Sequence, residues 1–98
     1  MRIEDFIWLD EIIEKLVQKH AVDQAEVEDV FINRPHLRFI SKGRRQRNED
    51  VYAAYGQTEA GRYLTVFFIH KPGNLALIIS ARDMDGKERK LYGRSKRT

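Results

Sequence analysis

The 98-residue chain contains no cysteine, which removes disulfides and thiolate metal sites from consideration. Nothing then argues for an oxidising compartment, and the cytoplasm is the expected location. Long apolar runs are missing too: none approaches the roughly 20 residues of a membrane helix. Glu4 and Asp5 stand where a signal peptide would carry cations, so secretion is not expected. No glycine-rich phosphate loop or dinucleotide fingerprint occurs. Histidine is sparse, and His-x-x-x-His and His-x-x-Glu spacings are absent, so neither a protein-bound metal nor another cofactor is expected.

The length suits one compact domain over residues 1–98 with a modest core. Acidic residues are scarce in its later part. Residues 1–33 hold 3 Lys/Arg against 9 Asp/Glu, whereas residues 34–98 hold 15 against 6, although the whole chain is only +3. Such a division suggests two faces with different partners, an anionic polymer on the basic part and a cationic protein segment on the acidic part. Plain solvation of the surface is the competing explanation.

Leu9, Ile12, Ile13, Leu16 and Val17 recur at helical spacing up to Lys19-His20, which predicts an amphipathic helix after Trp8. Asp23 with Glu26 reads as a capping box, and Val22 with Val27 as a hydrophobic staple, opening a second helix that Asn33-Arg34-Pro35 stops near Ile32. Beyond Pro35 the pattern changes to short β-branched and aromatic runs. These predict four strands at 36–41, 50–57, 62–70 and 75–82, the last three forming an antiparallel meander. The third strand is apolar on both faces, as a covered central strand requires. A short helix then begins at Asp85, with Gly93 as its stop. The expected class is therefore α+β, with two N-terminal helices, a four-stranded antiparallel sheet and a short C-terminal helix. Two stretches, the loop 42–48 with Lys42, Arg44, Arg45 and Arg47, and the tail 93–98, are cationic and expected to be flexible.

A turn centred on Pro72 would place Arg62 opposite Arg82 across the third and fourth strands. Facing cations are unfavourable unless an anion lies between them, so the pair suggests a phosphate clamp. Separate carboxylate partners such as Glu59 and Asp83 are the alternative. Glu88 and Tyr92 share a helix face, and Glu88 could act as a base or hold an arginine by an ion pair. Lys19 and His20 close the first helix, where the macrodipole favours cations, and could donate a proton or simply stabilise the helix end. His70 lies too far along its strand to serve the same phosphate as Arg62, and His36 stands alone before the first strand.

Trp8, Lys19-His20, Gly61-Arg62 before an apolar strand, Ile79-Ser80-Ala81-Arg82 and Glu88-Arg89-x-x-Tyr92, taken in order, resemble the BrnT family of toxins from type II toxin–antitoxin systems. The resemblance covers nearly the whole chain. It implies a fold similar to RelE-type ribonucleases, RNA cleavage that arrests translation, and a DNA-binding antitoxin as partner. By position it points to Lys19, His20, Arg62, Arg82 and Glu88 as catalytic candidates. Arg89 and Tyr92, with the basic loop, are candidates for binding RNA. Leu9, Leu16 and Ala21 depart from the family pattern, which usually has Asp, Asn and Gly there. The expected function is a metal-independent endoribonuclease, with a non-catalytic nucleic-acid- or antitoxin-binding module as the alternative.

Overall fold

A computed structural model of the protein describes residues 1–43 and 49–96. Its elements are β1 (Asp5–Ile7), α1 (Asp10–His20), α2 (Gln24–Ile32), β2 (His36–Ser41), β3 (Val51–Gln57), β4 (Tyr63–Lys71), β5 (Leu75–Asp83) and α3 (Gly86–Lys96). The sheet runs β1-β5-β4-β3-β2, with every neighbour antiparallel except β1 against β5. The α+β class and three helices agree with expectation, but the sheet is five-stranded and mixed rather than four-stranded and antiparallel. The extra strand escapes sequence reading because it is three residues long and merges into the apolar lead-in to α1. Its pairing residues, Leu75 to Leu77, lie some 70 positions downstream.

Local chemistry accounts for the helix boundaries. Asp23 accepts from the Glu26 backbone N–H while Glu26 accepts from that of Asp23, so the expected capping box forms, with Val22 and Val27 buried beside it. α1 has no such cap: Leu9 is extended and makes no side-chain bond to the helix. Its far end turns through Ala21 in the left-handed conformation, φ 52° and ψ 40°, where glycine would sit without strain. α3 is capped by Asp85 and runs through Gly93 to Lys96 instead of ending at the glycine, so the described part of the basic tail is helical.

The two faces of the sheet bury different things. α1 and α2 cover one face, where Leu16, Val27 and Val30 pack on Ala54, Leu64, Val66, Phe68, Ile78 and Ala81. Edge-to-face ring contacts link Phe6 to Phe31 and Phe31 to Phe68, each at 5.2 Å. Gly56 permits the close approach of α2, since a Cβ there would lie 2.9 Å from Val30 Cγ1. α3 covers part of the other face with a smaller cluster of Ala53, Tyr55, Met84 and Tyr92. Charge follows the same division. α3 carries Lys87, Arg89, Lys90, Arg94 and Lys96 against Glu88 alone, whereas α1 and α2 are rich in acid. Sequential asymmetry has become two chemically different faces.

Candidate functional site

The register between β4 and β5 decides the site. Lys71 pairs with Leu75 around the turn Pro72-Gly73-Asn74, so the hairpin centres on Gly73, not Pro72. A bulge at Ile79 then adds one more residue to β5, and Arg82 faces Thr65. The expected Arg62–Arg82 clamp is therefore absent. The two guanidinium groups lie on opposite faces, Arg62 against the junction of α1 and α2, and Arg82 against α3.

Every N–H of Arg62 is engaged. Nε donates to Asp83 Oδ1 at 2.8 Å and Nη2 to Asp83 Oδ2 at 3.2 Å and to the His20 carbonyl at 2.9 Å. Nη1 donates to the Ala21 carbonyl at 2.7 Å and to Glu26 at 3.2 Å. Five donors thus tie β5, the end of α1 and the start of α2 together, leaving none for a phosphate. Above all the hydrogen bond to Asp83 raises the Arg62 pKa, and the same bond holds the Asp83 carboxyl below its ordinary range. Lys19 is exposed and His20 half-buried at this corner, on the face away from Glu88.

Arg82 is held differently. Nη1 and Nη2 donate to Glu88 Oε1 and Oε2 at 2.8 and 2.9 Å, and Nη1 also reaches the Asp83 carbonyl. Nε–H and the second Nη2–H have no partner among the described residues. Glu88 Oε1 also accepts from Thr65 Oγ1 and the Asp85 backbone N–H, both at 2.9 Å, while Oε2 accepts from Arg82 alone. Burial opposes ionisation of Glu88, but Arg82, the Asp85 N–H and the Thr65 hydroxyl outweigh it and keep the carboxyl ionised, below its usual pKa. The ion pair with Glu88 raises the Arg82 pKa in turn. Asp85-x-x-Glu88 is a second capping box, so one carboxylate starts the helix and orients an arginine.

The strand register lines up His36, Tyr55, Thr65 and Arg82 as a single row across β2, β3, β4 and β5. Beside α3 lies a groove of about 620 Å³, lined by His36 and Tyr55 of this row together with Arg38, Lys87, Glu88, Lys90, Leu91 and Arg94, and Arg82 meets it through its pairing with Glu88. Two arginines, two lysines, one carboxylate and an imidazole share its walls, a composition suited to a polyanion. In the sequence His36 stands alone and nothing marks Arg38. The available signal was their i, i+2 spacing, which puts both on one face of a strand.

The other candidates divide. Arg89 lies over the Tyr63 ring at 3.9 Å, and Tyr92 is 4% exposed with its ring against Tyr63, so the tyrosine is a core residue, not an RNA platform. Lys42 is exposed at the end of β2, whereas Arg44, Arg45, Arg47 and the last part of the tail lie outside the described residues. Among the described residues no group of three or more His, Asp or Glu side chains could hold a metal ion, and no helix is long and apolar enough to cross a membrane.

Comparison with curated proteins returns no match. Comparison with protein families matches residues 8–88 to the ribonuclease toxin, BrnT, of type II toxin–antitoxin systems. That span holds the Trp8, Lys19-His20, Gly61-Arg62, Arg82 and Glu88 motifs in order, together with α1, α2, β2 to β5 and the first turn of α3, and on that match the chain belongs to the BrnT toxin family.

Proposed function

We propose that this protein is an active endoribonuclease working at the groove under α3, without a metal ion, and that it arrests translation by cutting RNA. The carrying observation is the Arg82–Glu88 pair: a bidentate contact fixes the guanidinium while Nε–H and one Nη2–H remain available. Those two donors hold the non-bridging oxygens of the scissile phosphate. Glu88 Oε2, which accepts from Arg82 alone, takes the proton of the neighbouring ribose 2′ hydroxyl as that oxygen attacks phosphorus. The P–O5′ bond breaks, leaving a 2′,3′-cyclic phosphate and a 5′ hydroxyl. Arg38, Lys87, Lys90 and Arg94 attract the strand on either side, assisted by the charges of Lys42, Arg44, Arg45, Arg47 and Arg89.

Arg62, Lys19 and His20 have no direct part in this chemistry. Arg62 braces the sheet end that carries Arg82. A DNA-binding antitoxin, encoded with the toxin and meeting it in the cytoplasm, is the partner proposed from family membership; the acidic face of α1 and α2 remains available to a cationic segment.

Incubating purified protein with RNA in the presence of chelator tests the reading. Wild type yields cyclic-phosphate ends, and Arg82→Ala loses at least about 100-fold in rate, the order expected for a lost transition-state donor. Intact RNA with retained binding would instead identify a non-catalytic module of the same fold.

A further inference from the structure

Resting on that reading, we propose that His36 is the catalytic residue that protonates the departing 5′ oxygen. Transfer to the 2′ oxygen needs two proton movements, one off the nucleophile and one onto the leaving group. Glu88 can perform only the first, because an ionised carboxylate accepts and does not donate. In-line displacement places attacking and leaving oxygens on opposite sides of phosphorus, so the donor must lie across the groove from Glu88. His36 lines the same groove as Glu88 but from β2, whereas Glu88 projects from α3. His36 starts the row that ends at Arg82, three strand spacings away, or about 14 Å between backbones at ~4.8 Å per spacing, a gap that the side chains and a phosphodiester between them span.

The imidazole is suited to the task in two further ways. Its ring lies nearly parallel to the Tyr55 ring, 6.1 Å between centroids and 25° between planes, which restricts its orientation. Neither ring nitrogen has a hydrogen-bond partner among the described residues, so both are available to substrate. The remaining groove cations are lysines and arginines. Imidazole is the side chain that gives up and recovers a proton most readily near neutrality. The balanced step is attack of the 2′ oxygen on phosphorus, its proton passing to Glu88, scission of P–O5′, and transfer of the His36 proton to the 5′ oxygen. Water then restores both groups.

A substrate with sulfur in place of the bridging 5′ oxygen tests the role directly, since a thiolate leaves without a proton. After the cleaved linkage is mapped in natural RNA, matched oligonucleotides with oxygen or sulfur there are given to wild type and His36→Gln, or to His36→Asn if the glutamine variant melts early. Expected is a loss of about 100-fold or more on oxygen, the usual scale for a general acid, and near wild-type cleavage on sulfur. Equal losses on both substrates would mean that His36 only positions RNA, and an unimpaired variant on oxygen would mean no role; either overturns the proposal. A wild-type protein that cleaves neither substrate instead removes the ribonuclease reading beneath it.

Discussion

Replacing Arg62 with alanine separates a strut from a phosphate ligand. The substitution removes two hydrogen bonds to the His20 and Ala21 carbonyls, which close a strained helix end, and two ion pairs, to Glu26 and Asp83. Each carbonyl bond contributes about 0.5–1 kcal/mol net, because water can replace the donor at a partly open site. The Arg62 and Glu26 side chains are 27% and 28% exposed, so this pair contributes about 1 kcal/mol. Asp83 is 65% exposed and is treated as a surface pair, adding only a few tenths. The sum is a destabilisation of about 2–3 kcal/mol, or roughly 10–20 °C in Tm for a domain of this length. Urea and thermal denaturation measure it, with cleavage assayed at a temperature where the variant stays folded. Expected is a large stability loss with chemistry largely kept, whereas Arg82→Ala loses the chemistry itself. A variant that melts within 0.5 kcal/mol of wild type yet cannot cleave RNA would place Arg62 on the substrate and refute the strut.

Two other perturbations follow from the same geometry. Ala21→Gly should stabilise the protein by about 1 kcal/mol, read as a rise in the urea midpoint, because glycine adopts φ near 52° without the Cβ penalty. Acid should destabilise it along a defined course. Asp83 and Glu88 have folded pKa values below their ordinary 3.8 and 4.5, so their contribution is complete above that range and is lost as the pH falls through the lower folded values. Urea midpoints should therefore decline below about pH 4, and Asp83→Asn with Glu88→Gln should make that decline shallower.

Much of the fold was legible in sequence because its determinants are local. The Asp23/Glu26 box, the helix stop before Pro35 and the alternation in β2 to β5 each act over a few residues, and the observed boundaries agree within one or two positions. β1 was invisible since a three-residue strand has no period, and its existence depends on a partner far along the chain. Gly93 looks like a stop in the sequence, yet it sits inside a helix held by Tyr92 packing on Tyr63. At the site, sequence could place Arg82 and Glu88 together, six residues apart across a capped turn. It could not count the bulge at Ile79 or the centre of the hairpin, and those few residues of register exchanged Arg62 for Thr65 as the partner of Arg82.

The sequence by itself determined the residue inventory: a chain without thiols, with acid early and base late, and with helices and strands marked by caps, prolines and periodicity. Only the tertiary structure decided which charges meet. Ion pairing and strand register depend on contacts between distant segments, and those contacts saturated Arg62 on the acidic face while leaving Glu88, paired with Arg82, and His36 to line one basic groove on the other.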